Sequence, residues 1–240
     1  MNDSFQKGKL YLIPTLMGES EVGNVLPSGI LPITNCLDVF LVEKAKSARR
    51  FLRKLGFTKE FDDLEFHELN KRTSDEDKFE YIQLALQGKS IGILSEAGCP
   101  GIADPGSDVV KMAHELGITV VPLVGPSSIL LTVMASGLNG QSFAFNGYLP
   151  IDKKERVKGI QRLERLSAQN TQTQLFIETP YRNDALLDDL KKTLHPNTQL
   201  CVAADITNPS EWIKTMSISS WKKQKEKLNK RPAVFALLGQ

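Results

Sequence analysis

The first apolar run, residues 9–14 (KLYLIP), follows Gly8 and ends on proline, which predicts a buried strand. Residues 38–43 (DVFLVE) predict a second. Residues 47–55 then place Ala48, Phe51, Leu52 and Leu55 on one helical face, with Gly56 as the stop. A weak strand at 66–69 precedes a helix over 73–86, which opens on Thr73-Ser74 and acidic residues and sets Phe79, Ile82 and Leu86 at helical spacing. Residues 90–94 (SIGIL) and 118–124 are further apolar strands. Between them Pro105-Gly106 leads into a helix carrying Val109, Val110, Ala113 and Leu116, closed by Gly117. Strand and helix alternating at this pitch predict an α/β fold of βαβ units around a mainly parallel sheet with helices on both faces.

Past Gly140 the texture changes. Strands are expected at 143–148, 174–177, 200–204, 212–218 and 233–238, and helices at 152–167, 183–194 and 220–228. Several of these strands follow one another without a crossover helix, so the second sheet should be mixed or antiparallel. The expected division is an N-terminal domain over 1–138 and a C-terminal domain over 142–240.

The chain has 240 residues, 41% hydrophobic and 24% charged, which suits one large or two small globular domains. Residues 117–151 carry no charge, but Pro122, Gly125, Pro126, Gly137 and Gly140 interrupt them too often for a membrane span. The first nine residues lack the apolar core of a signal peptide, so a soluble, cytoplasmic protein is expected. Three scattered cysteines and three scattered histidines argue against a disulfide scaffold, a zinc ribbon or a histidine metal site, and no metal is expected. Charge is uneven. Residues 1–151 hold 14 Lys/Arg against 18 Asp/Glu, whereas residues 152–240 hold 16 against 10. The basic excess lies in Lys153, Lys154, Arg156, Lys158, Arg162 and Arg165 and in the run 222–231. It suits either an anionic partner or a pair of solvated amphipathic helices.

The segment 95–106 (SEAGCPGIADPG) carries the most chemistry. It leaves a predicted strand and enters a predicted helix, the edge of an open α/β sheet where ligands bind. Gly98, Gly101 and Gly106 permit close backbone approach, and Pro100 and Pro105 stiffen the loop. The expected product is a side-chain-poor platform over 98–104 for a nucleoside or an amino-acid moiety. The spacing matches neither G-x-G-x-x-G nor G-x-x-x-x-G-K-[ST]. A second turn, Val124-Gly125-Pro126-Ser127-Ser128, offers hydroxyls that either cap a helix or reach a ligand.

The ordered segments KLYLIPT, DVFLVE, SEAGCPGIADPG, VVPLVGPSS, FNGYLP and LFIETPYR resemble the tetrapyrrole methylase superfamily of S-adenosylmethionine-dependent methyltransferases. Within it the pattern is most similar to the ribosomal small subunit methyltransferase I family, which methylates a cytidine 2′-hydroxyl of 16S rRNA. The resemblance implies two α/β domains, a homodimer, and S-adenosyl-L-methionine bound in the cleft between the domains. It places cofactor contacts on Ala97, Gly98, Cys99 and Ile102, with Pro100, Gly101 and Asp104 in the same loop, on Ser127 and Ser128, and on Glu178 at a strand end of the second domain. The family's A-E-D-T-R stands here as Val42-Glu43-Lys44-Ala45-Lys46, and its H-E-H-N-E as His67-Glu68-Leu69-Asn70-Lys71.

A hydroxyl acceptor needs a general base. Glu43, at the end of the second strand, is the candidate, with an ion pair to Lys44, Lys46 or Arg49 as its alternative. Asp104 is expected to brace its own loop. Glu178 and Arg182 form either an intra-loop ion pair or a ligand contact. On the acceptor side stand Lys44, His67 and Asn70, with Arg49, Arg50 and Arg53 on one basic helix and Lys153 and Lys154 in the second domain. Three functions follow: an RNA 2′-O-methyltransferase, a small-molecule methylase of the tetrapyrrole kind, or a cofactor-binding protein without turnover.

Overall fold

The computed structural model describes residues 6–240. The elements run β1 Lys9–Ile13, α1 Val22–Val25, α2 Ile30–Asn35, β2 Val39–Val42, α3 Ala45–Leu55, β3 Glu65–Glu68, α4 Asp75–Leu86, β4 Ile91–Leu94, α5 Ser107–Glu115 and β5 Thr119–Pro122. They continue α6 Ser128–Ser136, β6 Phe143–Tyr148, α7 Lys153–Asn170, β7 Thr173–Ile177, α8 Asn183–Thr193, β8 Gln199–Ala204, β9 Trp212–Ser217, α9 Ile218–Trp221 and β10 Ala233–Leu238. The chain divides into two compact units, the first ending at Pro126 and the second running Ser127–Gln240.

In the first unit five strands pair in the order β3-β2-β4-β1-β5, all parallel. β2 and β4 are buried along their whole length, as strands covered on both faces must be. Alternation sends Phe40 and Val42 to one face, against Ile30 of α2 and Leu52 and Leu55 of α3. Val39 and Leu41 go to the other, against Ile82 of α4 and Val109 and Ala113 of α5. α4 starts at a capping box, where Ser74 Oγ accepts from the Asp77 N–H and Asp77 accepts from the Ser74 N–H. The helices α1 and α2 are not predicted by the hydrophobic pattern. Pro27, Gly29 and Pro32 hide them, although Pro32 falls in the first turn of α2, where proline is tolerated.

In the second unit the order is β6-β7-β10-β8-β9, with β6 and β7 parallel and the other pairs antiparallel, the mixed sheet expected. α7, α8 and α9 cover one face through Ile160, Leu163, Leu187, Leu190 and Trp221. α6 covers the other through Val133, and Thr215 Oγ1 donates to Ser136 O at 2.7 Å. The division therefore falls earlier in the chain than the expected junction between 138 and 142, because α6 packs on β8, β9 and β10. The helix expected over 220–228 is also corrected: helix stops at Trp221. Beyond it Leu228 donates its N–H to Asp184 Oδ1 at 2.6 Å, and Lys191 Nζ donates to Gln224 O, so tertiary partners replace helical ones.

Candidate functional site

All strands of the first sheet are parallel, so their carboxyl ends share one edge. β1 lies between β4 and β5, and the loops after these three strands leave side by side. They are laced together. The Thr15 N–H donates to Gly98 O at 2.9 Å, Ser95 Oγ donates to the same carbonyl at 2.6 Å, and the Thr15 and Ser95 hydroxyls stand 3.2 Å apart. Cys99 Sγ donates to Pro126 O at 3.3 Å. Burial pushes the Cys99 thiol up, which keeps it a neutral donor. A Cβ on Gly125 would stand 2.1 Å from Pro14 Cβ, so only glycine lets the first and third loops approach this closely.

Above this lacing the 95–106 loop is open. Gly101 has φ +78° and nothing within 4 Å of the place a Cβ would take. Ala103 holds φ 58° despite its Cβ, a strain of roughly 1–2 kcal/mol. Ala97, Gly101 and Ile102 are exposed, whereas Gly98 and Pro100 are buried and Cys99 is half-buried. The loop thus offers exposed backbone and one apolar side chain, a cradle that a side chain at position 101 would fill. These residues fit the nucleoside or amino-acid end of the expected cofactor.

The remaining cofactor candidates lie in the second unit. Ser127 caps α6, its Oγ accepting from the Leu130 N–H at 3.5 Å, and Ser128 opens that helix. Glu178 is buried at the end of β7, where Oε1 accepts from the Thr179 N–H and from Arg182 Nη2, both at 2.6 Å. The ion pair raises the Arg182 guanidinium further above its ordinary value.

The sheet order also creates a crevice. β2 leads outward through α3 to β3, and β4 leads the other way through α5 to β5, so the chain leaves these two neighbours in opposite directions. The Asp104 and Glu43 carboxyls meet there, and Glu96 is near enough to act on Asp104 by its charge. Glu43 follows β2, Glu96 follows β4, and Asp104 comes back from the β4–α5 loop. Asp104 hydrogen-bonds Glu43 rather than its own loop, and its pKa rises from 3.8 to about 8. The causes are burial, then the Glu43 hydrogen bond and charge, then the Glu96 charge. Ser47 Oγ of α3 donates to Glu96 Oε1 at 2.5 Å. Glu43 is in no ion pair with Lys44, Lys46 or Arg49 among the described residues. Sequence reasoning missed Glu96, although it stands two residues past the end of a buried strand, close to the signal that singled out Glu43 directly after β2.

The acceptor-side candidates scatter. Asn70 lines a cavity of about 410 Å³ beside Lys71, Lys78 and residues 103–109. His67 does not join it: its ring lies over Tyr81 with centroids 4.6 Å apart, and Nε2 stands 3.5 Å from Glu65 Oε2. The three-arginine patch on α3 is broken up. The Arg49 guanidinium lies 5.1 Å from the Phe66 ring, and Arg53 lies 4.1 Å from the Phe61 ring and pairs with Glu60. Lys44 and Arg50 remain exposed. On α7, Lys153, Lys154, Arg162 and Arg165 are exposed, whereas Lys158 pairs with Glu155. Arg156 leaves the basic patch altogether, buried against Asp189 with Nη2 to Oδ2 at 2.7 Å. Among the described residues no group of three His, Cys, Asp or Glu is placed to hold a metal ion. No helix among them is long and apolar enough to cross a membrane.

The profile of the tetrapyrrole (corrin/porphyrin) methylases matches residues 35–221. A relative in Vibrio cholerae, named ribosomal RNA small subunit methyltransferase I, is 30% identical over 211 residues, covering 88% of this chain and 69% of that one. One of the same name in Bacillus subtilis is 29% identical over 88% of this chain and 68% of its own. Among solved structures, the methyltransferase CobJ superposes with a TM-score of 0.65 at 14% identity, covering 97% of this chain and 94% of that one. The uroporphyrin-III C-methyltransferase of Thermus thermophilus complexed with S-adenosylhomocysteine gives 0.57 at 17% identity, covering 96% and 97%.

Proposed function

The chain belongs to the tetrapyrrole methylase family of S-adenosylmethionine-dependent methyltransferases, and we propose that its acceptor is a ribose 2′-hydroxyl of small-subunit ribosomal RNA. The observation that carries this reading is the open 95–106 loop at the carboxyl edge of the parallel sheet. It sits in a chain whose curated relatives, matched over most of its length, are named for that RNA. When bound, the cofactor supplies an electrophilic methyl group. The protein's part is to hold and orient. The exposed backbone at Ala97 and Gly101 and the Ile102 side chain form the cofactor's bed in the first unit. Lys153, Lys154, Arg162 and Arg165, free of ion pairs among the described residues, supply the positive surface that an RNA backbone needs.

The proposal extends to the assembly. Leu130 and Met134 of α6 are 51% and 77% exposed, apolar surface that a second copy of the chain would cover in a homodimer. A protein working on ribosomal subunits works in the cytoplasm. The test is calorimetry with S-adenosylmethionine followed by labelled methyl transfer to small ribosomal subunits. One cofactor per chain and one methyl group on a ribose are expected. Binding of cofactor with no transfer to RNA would overturn the acceptor. A tetrapyrrole acceptor is the second reading, favoured by the tetrapyrrole methyltransferase among the structural neighbours; transfer to such a macrocycle, insensitive to salt, would establish it.

A further inference from the structure

The cavity of about 410 Å³ in the first unit lies at the same sheet edge as the open loop. One wall is residues 103–109, and the other is Leu69, Asn70 and Lys71 after β3 with Lys78 of α4. Its size falls in the range of small-ligand sites, roughly 300–1,000 Å³. Lys78 is committed, its ammonium 2.8 Å from Asp75 and 2.9 Å from Asp108. Lys71, the Asn70 amide nitrogen and the Ser107 hydroxyl have no partner among the described residues. One cation, one amide donor, one hydroxyl and one carboxyl around a single space match a nucleotide's phosphate, base edge and sugar hydroxyls. Asp104 is otherwise unexplained. It caps no helix and bonds no backbone group among the described residues, and its partner is the Glu43 carboxyl at the neighbouring strand end.

We infer that Asp104 is the general base of this enzyme and that the cavity it lines receives the acceptor nucleotide, an assignment that rests on the methyltransferase reading above. The acceptor oxygen gives its proton to the Asp104 carboxylate and its electron pair to the methyl carbon. The carbon–sulfur bond breaks with its electrons left on sulfur, so a sulfonium becomes a neutral thioether. The proton then leaves from Asp104 to solvent. Glu43 is a positioning residue: it holds the Asp104 carboxyl and, by its charge, keeps that group basic. The charged groups facing Asp104 are Glu43 after β2, Glu96 after β4, Lys71 after β3, Lys78 of α4 and Asp108 of α5. Burial first, then the Glu43 hydrogen bond and charge, then the Glu96 charge account for a proton retained until about pH 8. A base of that pKa suits work near neutrality, and the proton belongs to the Glu43–Asp104 pair as a unit.

The test is single-turnover methyl transfer to small ribosomal subunits across pH 6 to 9.5, with calorimetry of S-adenosylhomocysteine alongside. For the wild type the rate should rise about tenfold per pH unit and level off near pH 8. Asp104→Asn should lose roughly a hundredfold or more in rate, keep cofactor affinity within about threefold, and regain part of the rate as Asp104→Glu. Glu43→Gln removes the neighbouring charge, so its rising limb should move to lower pH. Should Asp104→Asn lose cofactor binding through misfolding, the Glu43→Gln limb decides. A readout without acceptor is the thermal midpoint. Between about pH 4 and 8 the folded chain holds a proton that the unfolded chain releases, so the wild type should lose stability with rising pH relative to Asp104→Asn. Asp104→Asn within threefold of the wild-type rate, a wild-type profile flat in pH, or an unmoved limb in Glu43→Gln overturns this assignment alone. A wild type that never methylates RNA overturns the acceptor reading, and this assignment with it.

Discussion

Arg156 lies in α7 among exposed cations, and removing it tests whether it serves RNA or the fold. Its Nε and Nη2 donate to Asp189 Oδ2 of α8 at 2.9 and 2.7 Å, and Nη1 donates to Ile151 O at 2.7 Å. Asp189 is 5% exposed. Arg156→Ala leaves that carboxylate buried and unpaired, a change that costs about 3–5 kcal/mol. At roughly 2–4 °C per kcal/mol for a chain of this size, the unfolding midpoint should fall by about 6–20 °C. Lys153→Ala, a few residues away and exposed, should stay within about 0.5 kcal/mol of wild type. Tryptophan fluorescence in urea is the assay, because the chain's two tryptophans, Trp212 and Trp221, both lie in the second unit and pack edge to face at 6.0 Å. The double variant Arg156→Met with Asp189→Leu removes both charges and should recover most of the loss. Arg156→Ala within about 1 kcal/mol of wild type, or a double variant no more stable than the single one, would refute the reasoning.

Three further outcomes are expected. Gly101→Phe fills the open space over the loop and should abolish cofactor binding by calorimetry, with stability lowered by roughly 1–2 kcal/mol for the left-handed backbone; unchanged affinity would remove the loop from the site. Neutralising Lys153, Lys154 and Arg162 together should weaken RNA binding and flatten its dependence on salt by about 0.7 in log–log slope for each phosphate no longer neutralised, with cofactor affinity unaltered. Leu130→Asp with Met134→Asp, both on the outward side of α6, should shift light scattering from dimer to monomer, and a monomeric wild type would end the homodimer proposal.

Much of this protein is written in short-range chemistry. Gly98, Gly101, Pro100 and Pro105 shape their loop through their own backbone restrictions, so the loop was legible without a fold around it. The unbroken apolar runs that became β2 and β4 signal burial on two faces by themselves. Asp152 at the start of α7 caps it with its own side chain, accepting from the Glu155 N–H at 3.0 Å. Partnership between distant residues was decided elsewhere. Glu43, Glu96 and Asp104 are up to 61 positions apart, and only the order β3-β2-β4-β1-β5 makes the strands before them neighbours. Arg156 and Lys153 share a helix and a charge, yet the turn of α7 points one at Asp189 and the other at solvent. The run 222–228 has helical composition, but Asp184 and Lys191 compete for its backbone from across the unit. A hydrogen bond or an ion pair between remote segments depends on which strand lies beside which. That is settled by the packing of whole faces, a non-local quantity that no window of sequence contains.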